Sequence, residues 1–319
     1  MRTPLVSVLV LTYNNQDGIY PTLDSIFMQR YPSIEIVISD DGSEEFDRSA
    51  LEDYIAAHKG KNIQQVRIDR LPENRGTVCN TNHAIRMSSG EYIFSLSPDD
   101  FMTDESVLET YVAFMEEHPV PVAFGKLRGV TPEGEYRYEL LSCDQDFDKL
   151  RSWDAQTTLE HLFRRNFLPA PTMFLRRSTY EKYGYHDEEI RLIEDYPYWI
   201  HLCLQGETFG YLDKVMVDYG LTGVSSTGVY GKMFMKDMHV IYEKYIFPND
   251  HRYGVLQKPY NFLKKSGLNY YDAKACWDEY SSRQKAGARV KYAPFFAYTA
   301  LLDKKVEKKN RRHGADADA

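Results

Sequence analysis

The sequence has few cysteines and no long apolar run, and each of these absences excludes a class of protein. The four cysteines are Cys79, Cys143, Cys203 and Cys276, and no two of them form a C-x-x-C pair. A zinc site and a disulfide framework are therefore not predicted, and we expect free thiols in a reducing compartment. No apolar segment approaches the roughly 20 residues that span a bilayer. No signal-peptide core follows Met1, so we expect a cytoplasmic protein.

The two glycine-rich phosphate-binding loops that are easiest to recognise are also missing. Neither G-x-G-x-x-G nor G-x-x-x-x-G-K-[ST] occurs among the 319 residues. A dinucleotide-binding Rossmann domain and a P-loop NTPase are therefore not predicted.

Charge is distributed unevenly along the chain. The net charge is −8, but residues 251–312 carry 15 Lys and Arg against 5 Asp and Glu, and residues 1–250 carry 24 against 40. A basic segment of this kind can contact a membrane surface, a lipid phosphate or nucleic acid. The alternative is that it is the solvated face of packed helices.

Apolar runs and helical patterns alternate through the first third of the chain. Val6–Leu11 and Ile34–Ser39 are nearly continuous apolar runs, which is typical of strands buried on both faces of a parallel sheet. Ile19–Phe27 lies between them and has apolar residues at helical spacing. The alternation continues to Glu91–Phe94 and predicts an α/β fold with three layers and a mostly parallel sheet.

Polar residues follow the first two predicted strands. A right-handed crossover brings the ends of both strands to one edge of the sheet, so we expect Tyr13, Asn14, Asp40 and Asp41 to converge on one crevice. An aromatic ring beside a carboxylate suits a nucleobase, because the ring stacks and the carboxylate accepts a hydrogen bond. An ordinary turn with a helix cap is the alternative for the stretch that ends at Ser43.

Two further pairs of carboxylates stand next to predicted elements. Asp99 and Asp100 come just after the strand predicted at 91–94, where open α/β sheets bind their ligands. Adjacent like charges favour a bound divalent cation, although the pair could instead cap the next helix. Glu194 and Asp195 lie in the first turn of a later predicted helix, where the helix dipole alone also favours carboxylates.

Six segments together resemble motifs of the family-2 glycosyltransferases, in the order and spacing of that family. The segments are Val6–Asn14, Leu23–Gln29, Glu35–Ser43, Asn74–Gly76, Gly90–Ile93 and Glu194–Trp199. The first resembles V-S-V-I-I-P-x-Y-N, the third resembles E-I-I-[VI]-V-D-D-G-S, and the last resembles E-D-x-x-[LF]-W. The resemblance extends over residues 5–222. It implies the GT-A fold, an α/β/α sandwich with a Rossmann-like sheet, here followed by a C-terminal helical appendage.

The resemblance also implies an inverting transferase that uses a nucleotide-diphospho-sugar, with a UDP-sugar as the preferred candidate. The turn formed by Thr12, Tyr13 and Asn14 would contact the base and the ribose. Asp41 would accept a hydrogen bond from the uracil N3–H, with Asp40 beside it.

The remaining roles that the resemblance implies concern the diphosphate and the reaction itself. Arg75 would lie near the nucleotide, and Asp99 and Asp100 match the region that holds Mg²⁺ or Mn²⁺ on the diphosphate. Asp195 matches the general base, and Glu194 would orient that base or the substrate. These residue types suit the reaction, because the cation neutralises the leaving group and the base takes a proton from a hydroxyl.

Two positions depart from the family pattern. Ser97 stands where the family often has a further Asp, so only the later pair of carboxylates remains. The segment 219–222 reads Tyr-Gly-Leu-Thr, where the family often has Y-R-x-H. Coordination of the metal would then depend more on Asp99, Asp100 and water.

We therefore predict a catalytic domain over residues 1–225, a basic helical region over 226–309 and a disordered tail over 310–319. The enzyme would act on a saccharide or lipid-linked saccharide acceptor in surface polysaccharide or glycolipid biosynthesis. We expect no nucleic acid partner, and allow for an oligomer and for contact between the basic helices and the inner face of a membrane. Packing of these helices against the catalytic domain is the alternative to membrane contact. The alternatives are a catalytically silent scaffold that binds nucleotide-sugars and a sugar nucleotidyltransferase, for which the first loop lacks a glycine-rich basic sequence.

Overall fold

The structure is a computed structural model that describes residues 2–131, 134, 136–137, 150–163, 165–221, 231–250 and 281–291. The chain divides into two compact units, Met1–Thr227 and Gly228–Ala319. The predicted tail at 310–319 and most of the predicted helical region at 226–309 lie outside the described residues. The domain boundaries given above stay predictions. No helix in the described ranges is both long enough and apolar enough to cross a membrane.

In the part of the chain that the structure describes, nine strands of the first unit form one sheet. They are β1 Val6–Thr12, β2 Ile34–Asp40, β3 Ile63–Arg70, β4 Tyr92–Leu96, β5 Phe101–Met102, β6 Val122–Val130, β7 Tyr136–Arg137, β8 Met173–Arg176 and β9 Gly210–Gly220. The order across the sheet is β3-β2-β1-β4-β8-β6-β9-β5, with β7 beside β6. Strands β3, β2, β1 and β4 run parallel, as do β6 and β9. These long pairings contain most of the paired residues, which confirms the mostly parallel sheet.

Helices cover the faces of this sheet and confirm the α/β class. They are α1 Ile19–Phe27, α2 Arg48–His58, α3 Thr77–Met87, α4 Val107–Glu117, α5 Ala155–Leu162, α6 Arg177–Tyr183 and α7 Asp195–Leu204. Local chemistry sets several of their ends. Helix α2, for example, begins where the Asp47 side chain accepts a hydrogen bond from the Ala50 N–H at 2.9 Å, which satisfies one of the unpaired donors of the first turn.

The core lies on both sides of the central strands. Every residue of β2 and β4 is buried, and in β1 only Leu11 is partly accessible. Such strands cannot alternate between apolar and polar side chains, which is why the sequence shows continuous runs. Strand β8 enters antiparallel between β4 and β6, where the ring of Phe174 stacks on that of Tyr111 with centroids 4.8 Å apart.

One charged group is buried inside this core, near the amino-terminal ends of β1 and β2. The Glu35 side chain on β2 is fully buried and accepts hydrogen bonds from the Ser7 hydroxyl, the Ser89 N–H at 2.7 Å, the Ser89 hydroxyl at 2.9 Å and Arg67 Nε at 3.1 Å. Burial alone would raise the pKa of Glu35, but these donors outweigh it and lower the pKa. The carboxylate therefore ties β1, β2, β3 and the turn before β4 together.

The second unit contains two described helices, α8 Lys232–Ile241 and α9 Ser282–Lys291. A π-helical turn, Tyr242–Ile246, continues α8. Ideal helical spacing over residues 230–245 predicts a buried apolar stripe that includes Met233, and this is only partly correct. Met233 is 40% exposed, whereas Met235, Ile241 and Ile246 are buried.

Candidate active site

The carboxyl ends of β1, β2 and β4 open into a cleft with a volume of about 170 Å³. Most of the elements that form the cleft belong to the parallel half of the sheet, and β8 closes one side. The lining residues are Leu11, Thr12, Tyr13, Asp41, Thr77, Asn80, Ser95, Leu96, Ser97, Asp100, Ala170, Pro171, Met173 and Glu194.

The turn after β1 is bound to the turn after β2, as the crossover argument predicted. Asn14 adopts the left-handed conformation with φ 50°. Its N–H donates to the Ser43 hydroxyl at 2.7 Å, and its side-chain oxygen accepts from the Glu44 N–H at 2.9 Å. Tyr13 lines the cleft with 47% of its surface exposed, and Thr12 is buried beside it. This turn therefore offers an accessible ring on a fixed backbone.

The two carboxylates after β2 have different surroundings. Asp41 lines the cleft and accepts the Arg75 N–H and the Gly76 N–H, each at 2.8 Å. Asp40 is fully buried and is not among the lining residues. Its carboxylate accepts from the N–H and hydroxyl of Ser43. Asp40 thus holds the turn, and of the two carboxylates only Asp41 faces the cleft.

Arg75 reaches the site through its backbone. Its side chain is exposed, with Nη2 4.0 Å from the carboxylate of Glu188, and it is not among the lining residues. The adjacent Gly76 has φ 91°, and a Cβ at this position would lie 2.3 Å from Cγ of Arg191. A glycine is therefore needed to turn both amides toward Asp41.

Asp99 and Asp100 diverge from each other. Asp99 has φ 73° and accepts from Nδ2 of Asn15 at 2.9 Å, so it faces the turn after β1. Asp100 lines the cleft, and its Oδ1 accepts the Gly220 N–H at 3.1 Å. Burial raises the pKa of the Asp100 carboxyl to about 7. Its Oδ2 is buried and has no hydrogen-bond partner among the described residues.

Gly220 gives a structural reason for one departure from the family pattern. A Cβ there would lie 2.7 Å from the main-chain oxygen of Asp99. The backbone of β9 can therefore approach the Asp99–Asp100 turn only because position 220 lacks a side chain. A family arginine in this register would displace that turn.

At this site the protein offers the Asp100 carboxylate to a divalent cation, and the substrate would have to supply further ligands. In the described part of the chain, no three His, Cys, Asp or Glu side chains form a metal centre. The unpartnered Oδ2 of Asp100 is nevertheless a hard oxygen ligand at the cleft. Mg²⁺ is commonly bound by one or two carboxylates together with substrate phosphates and water. The residues thus fit a cation that arrives with a diphosphate.

The second carboxylate pair stands at the start of α7. Glu194 lines the cleft, whereas Asp195 accepts from Nδ2 of Asn166 and from the Tyr196 N–H, both at 2.7 Å. Burial raises the pKa of both carboxyls, and the charge of Asp195 raises that of Glu194 further. The two hydrogen bonds partly offset the rise at Asp195. A carboxylate with a raised pKa is suited to receive a proton.

Sequence reasoning missed two residues that hold this pair. Nδ1 of His186 lies 3.0 Å from the main-chain oxygen of Glu194, and Nε2 lies 2.9 Å from the Tyr180 hydroxyl. Asn166 follows α5 and meets Asp195 across 29 positions of sequence. Both contacts arise from tertiary packing, so no local sequence pattern predicts them.

A cleft at the carboxyl edge of an α/β sheet, with carboxylates on two sides, is where enzymes of this fold class bind their ligands. The family model of glycosyl transferase family 2 matches residues 7–184. The chain belongs to this family and is a glycosyltransferase.

Curated relatives agree with this assignment. The chain is 30% identical to the poly(ribitol-phosphate) beta-glucosyltransferase of Bacillus spizizenii over 149 residues, which are 46% of this chain and 23% of that enzyme. It is 26% identical over 224 residues to TuaG of Bacillus subtilis, a glycosyltransferase whose name places it in teichuronic acid biosynthesis. That match covers 70% of this chain and 81% of TuaG.

Solved structures of similar fold support the GT-A prediction. TarS 1–349 of S. aureus, in complex with UDP-GlcNAc, aligns with a TM-score of 0.57 at 21% identity, covering 85% of this chain and 71% of TarS 1–349. The mannosyltransferase PcManGT of Pyrobaculum calidifontis, with GDP-Man and Mn²⁺, aligns with a TM-score of 0.58 at 17% identity. That alignment covers 94% of this chain and 84% of PcManGT. At these identities the likeness shows the fold alone.

Proposed function

We propose that this glycosyltransferase moves a sugar from a UDP-sugar to a hydroxyl of a saccharide or lipid-linked saccharide in surface polysaccharide or glycolipid biosynthesis. The observation that carries the proposal is that Tyr13, Asp41, Asp100 and Glu194 line one cleft. These side chains are of the types needed to bind a nucleobase, a diphosphate and an acceptor. The poly(ribitol-phosphate) and teichuronic acid names of the relatives support a surface-polymer acceptor.

The donor base would lie between the Tyr13 ring and the Asp41 carboxylate. Each oxygen of Asp41 already accepts one backbone N–H, and a carboxylate oxygen has a second acceptor position. Asp41 can therefore accept the imide N–H of uracil or thymine without losing its structural bonds. The rigid turn around Asn14 limits the loss of conformational entropy when the base stacks.

The diphosphate would lie against Asp100. Asp100 would hold a divalent cation, which would supply the neutralisation that the leaving group needs. Asp99, which belongs to the same predicted pair, would keep the turn in place through Asn15. In this arrangement Ser97 lines the cleft without a charge.

Asp195 would act as the general base, with Glu194 beside it to orient the acceptor. The acceptor oxygen forms a bond to the anomeric carbon while the bond from that carbon to the diphosphate oxygen breaks. The acceptor proton passes to the carboxylate, and the electron pair leaves with the diphosphate. A single displacement of this kind inverts the anomeric centre, so no nucleophilic carboxylate is needed.

A thermal-shift screen with UDP, TDP, GDP and CDP, each with and without Mn²⁺, tests the donor assignment. We expect UDP to raise the melting temperature most, and to do so in a Mn²⁺-dependent manner that Asp100→Asn abolishes. Equal shifts with all four nucleotides would contradict the role of Asp41. A UDP shift that does not depend on the metal would contradict the role of Asp100.

A silent scaffold is the second candidate, and Ser97, which lines the cleft where the family often has a further Asp, favours it. Release of UDP from UDP-GlcNAc and UDP-glucose, with water as the acceptor, separates the two proposals. We expect the wild type to release UDP, Asp195→Asn to lose at least 100-fold in rate, and Glu194→Gln to lose less. Binding of UDP without any release by the wild type would instead support the scaffold.

Contact between the basic C-terminal region and a membrane is a separate part of the proposal. In α9, Arg283 is exposed and Val290 is 78% exposed, so this helix presents charge and apolar surface together. Flotation of the full chain with anionic or zwitterionic vesicles at low salt tests the idea. Binding to anionic vesicles alone is expected, and failure to bind them would refute it.

A further inference from the structure

Both oxygens of Asp195 are held by neutral donors that come from different parts of the fold. Nδ2 of Asn166 donates to Oδ2 at 2.7 Å, and the Tyr196 N–H donates to Oδ1 at 2.7 Å. The second donor is part of the helix itself, as at many helix starts. The first is a side chain from another segment, and with the Tyr196 N–H on the other oxygen it fixes the rotation of the carboxylate about its own axis.

The chain around Asn166 is anchored on both sides. The Tyr196 hydroxyl donates to the main-chain oxygen of Leu162 at the end of α5, and Leu168 is buried with 2% exposure. The side-chain oxygen of Asn166 accepts the Leu168 N–H at 3.3 Å. This second bond fixes which way the amide points, because it uses the oxygen and leaves the NH₂ group for Asp195.

We propose that Asn166 is a positioning residue for the reaction, holding the Asp195 carboxylate at the angle from which it takes the acceptor proton. The inference rests on the proposed function, in which Asp195 is the general base. Asn166 need not touch either substrate, since it acts through Asp195. An amide suits this position better than a carboxyl, because a second acid there would compete for the same proton.

As a positioning residue, Asn166 also affects the pH dependence of the reaction. A donor to the charged form of a carboxylate favours that form, so Asn166 opposes the effect of burial on Asp195. Other titratable groups lie near Asp195. Glu194 is on the same turn, His186 contacts the main-chain oxygen of Glu194, and Asp100 lines the same cleft as Glu194. They remain in place when Asn166 is replaced, so a change in the acidic limb reports the lost donor.

The experiment compares Asn166→Ala and Asn166→Asp with wild type and with Asn62→Ala as the control. Asn62 also donates its side-chain amide, to the main-chain oxygen of Gln29 at 2.8 Å, but lies outside the cleft. The assay is release of UDP from UDP-GlcNAc or UDP-glucose over pH 5–9, with Mn²⁺. Binding of UDP is measured in parallel by thermal shift.

We expect Asn166→Ala to lower kcat about 10–100-fold and to leave the UDP-induced thermal shift unchanged. The acidic limb of its kcat/KM profile should move up by about one pH unit, and Asn166→Asp should move it further. Asn62→Ala should change neither the rate nor the profile. An activity loss that is equal at every pH would show a merely structural role and overturn the proposal.

A direct titration makes the result independent of turnover. Carboxyl resonances of ¹³C-aspartate-labelled protein are followed with pH, and the Asp195 signal is assigned from its absence in Asp195→Asn. An upward move of its titration in Asn166→Ala supports the proposal, and an unchanged titration refutes it. If Asp195→Asn releases UDP as fast as wild type, Asp195 is not the general base and the proposed function is wrong. If Asp195→Asn releases no UDP while Asn166→Ala has the rate and pH profile of wild type, only the role of Asn166 is refuted.

Discussion

The change Glu35→Gln tests whether the buried carboxylate on β2 holds the central strands together. The substituted amide would keep the size of the side chain but lose the charge that now accepts four hydrogen bonds. Its NH₂ group would also face donors, which leaves at least one buried donor unpaired. Hydrogen bonds to a charged group are worth about 1.5–3 kcal/mol each. Breaking a buried charged network costs about 3–5 kcal/mol.

We therefore expect a loss of about 3 kcal/mol in the free energy of unfolding at pH 7. For a unit of this size the loss lowers the melting temperature by about 6–12 °C. The pKa of Glu35 is lower in the folded protein than in the unfolded chain. Its contribution is consequently complete above the unfolded pKa, and it disappears as the pH falls through the folded value.

The assay is thermal unfolding followed by circular dichroism from pH 7 down to pH 4. The control is Glu52→Gln, because Glu52 is an exposed carboxylate that pairs with Arg48 on the same helix. Such a pair is worth less than about 1 kcal/mol. A melting temperature for Glu35→Gln within 2 °C (about 1 kcal/mol or less) of the control at pH 7 would refute the reasoning. So would a difference that grows as the pH falls.

Three other predictions concern the site. Gly220→Ala places a Cβ 2.7 Å from the Asp99 oxygen, so we expect at least a 10-fold loss in UDP release from the displaced turn. Asp41→Asn should raise the KM for the UDP-sugar about 10-fold or more, with a smaller effect on kcat, because it weakens base binding. Burial lowers the pKa of His186 to about 4; unfolding measured against pH should show stability lost between about pH 6.5 and 4, and His186→Gln should lose less in that window.

Each of these predictions has its own check. Gly231→Ala is the control for position 220, because a Cβ there meets no atom of the described residues within 4 Å. Equal effects of both changes would contradict the steric argument. An Asp41→Asn enzyme with unchanged KM would exclude Asp41 from base recognition. For His186, parallel stability curves of wild type and His186→Gln from pH 7 to 4 would show that its protonation is not coupled to unfolding.

The first half of the fold could be predicted because its signals are local. Continuous apolar runs mark β1, β2 and β4, and the residues between them have helical spacing, so the crossover rule gives the crevice. The place of β8 could not be predicted in this way. Strand β8 pairs antiparallel with β4 and β6, and Phe174 of β8 packs on Tyr111. The sequence around Phe174 does not indicate these tertiary contacts.

The sequence predicts the correct turns of the site, but a turn does not give the direction of its side chains. Both Asp pairs are predicted at the site, with Asp41 preferred over Asp40 for the base and no preference between Asp99 and Asp100 for the metal. In the structure Asp41 and Asp100 line the cleft, whereas Asp40 accepts from Ser43 and Asp99 accepts from Asn15. Asp40 is the last residue of β2, and adjacent residues of an extended segment point to opposite sides. Asp99 instead has a left-handed backbone with φ 73°, which no strand alternation predicts.

The backbone bonds to Asp41 decide where the donor preference of this enzyme could be redesigned. Asp41 depends on the amides of Arg75 and Gly76, and the start of α3 is in turn held by the Val78 N–H, which donates to the main-chain oxygen of Arg191 at 3.1 Å. Arg191 precedes the Glu194 turn by three positions, so a new side chain at 41 would disturb base recognition and proton transfer together. Tyr13, with nearly half of its surface exposed, is the position at which a library could change the preferred base while leaving the machinery of transfer intact.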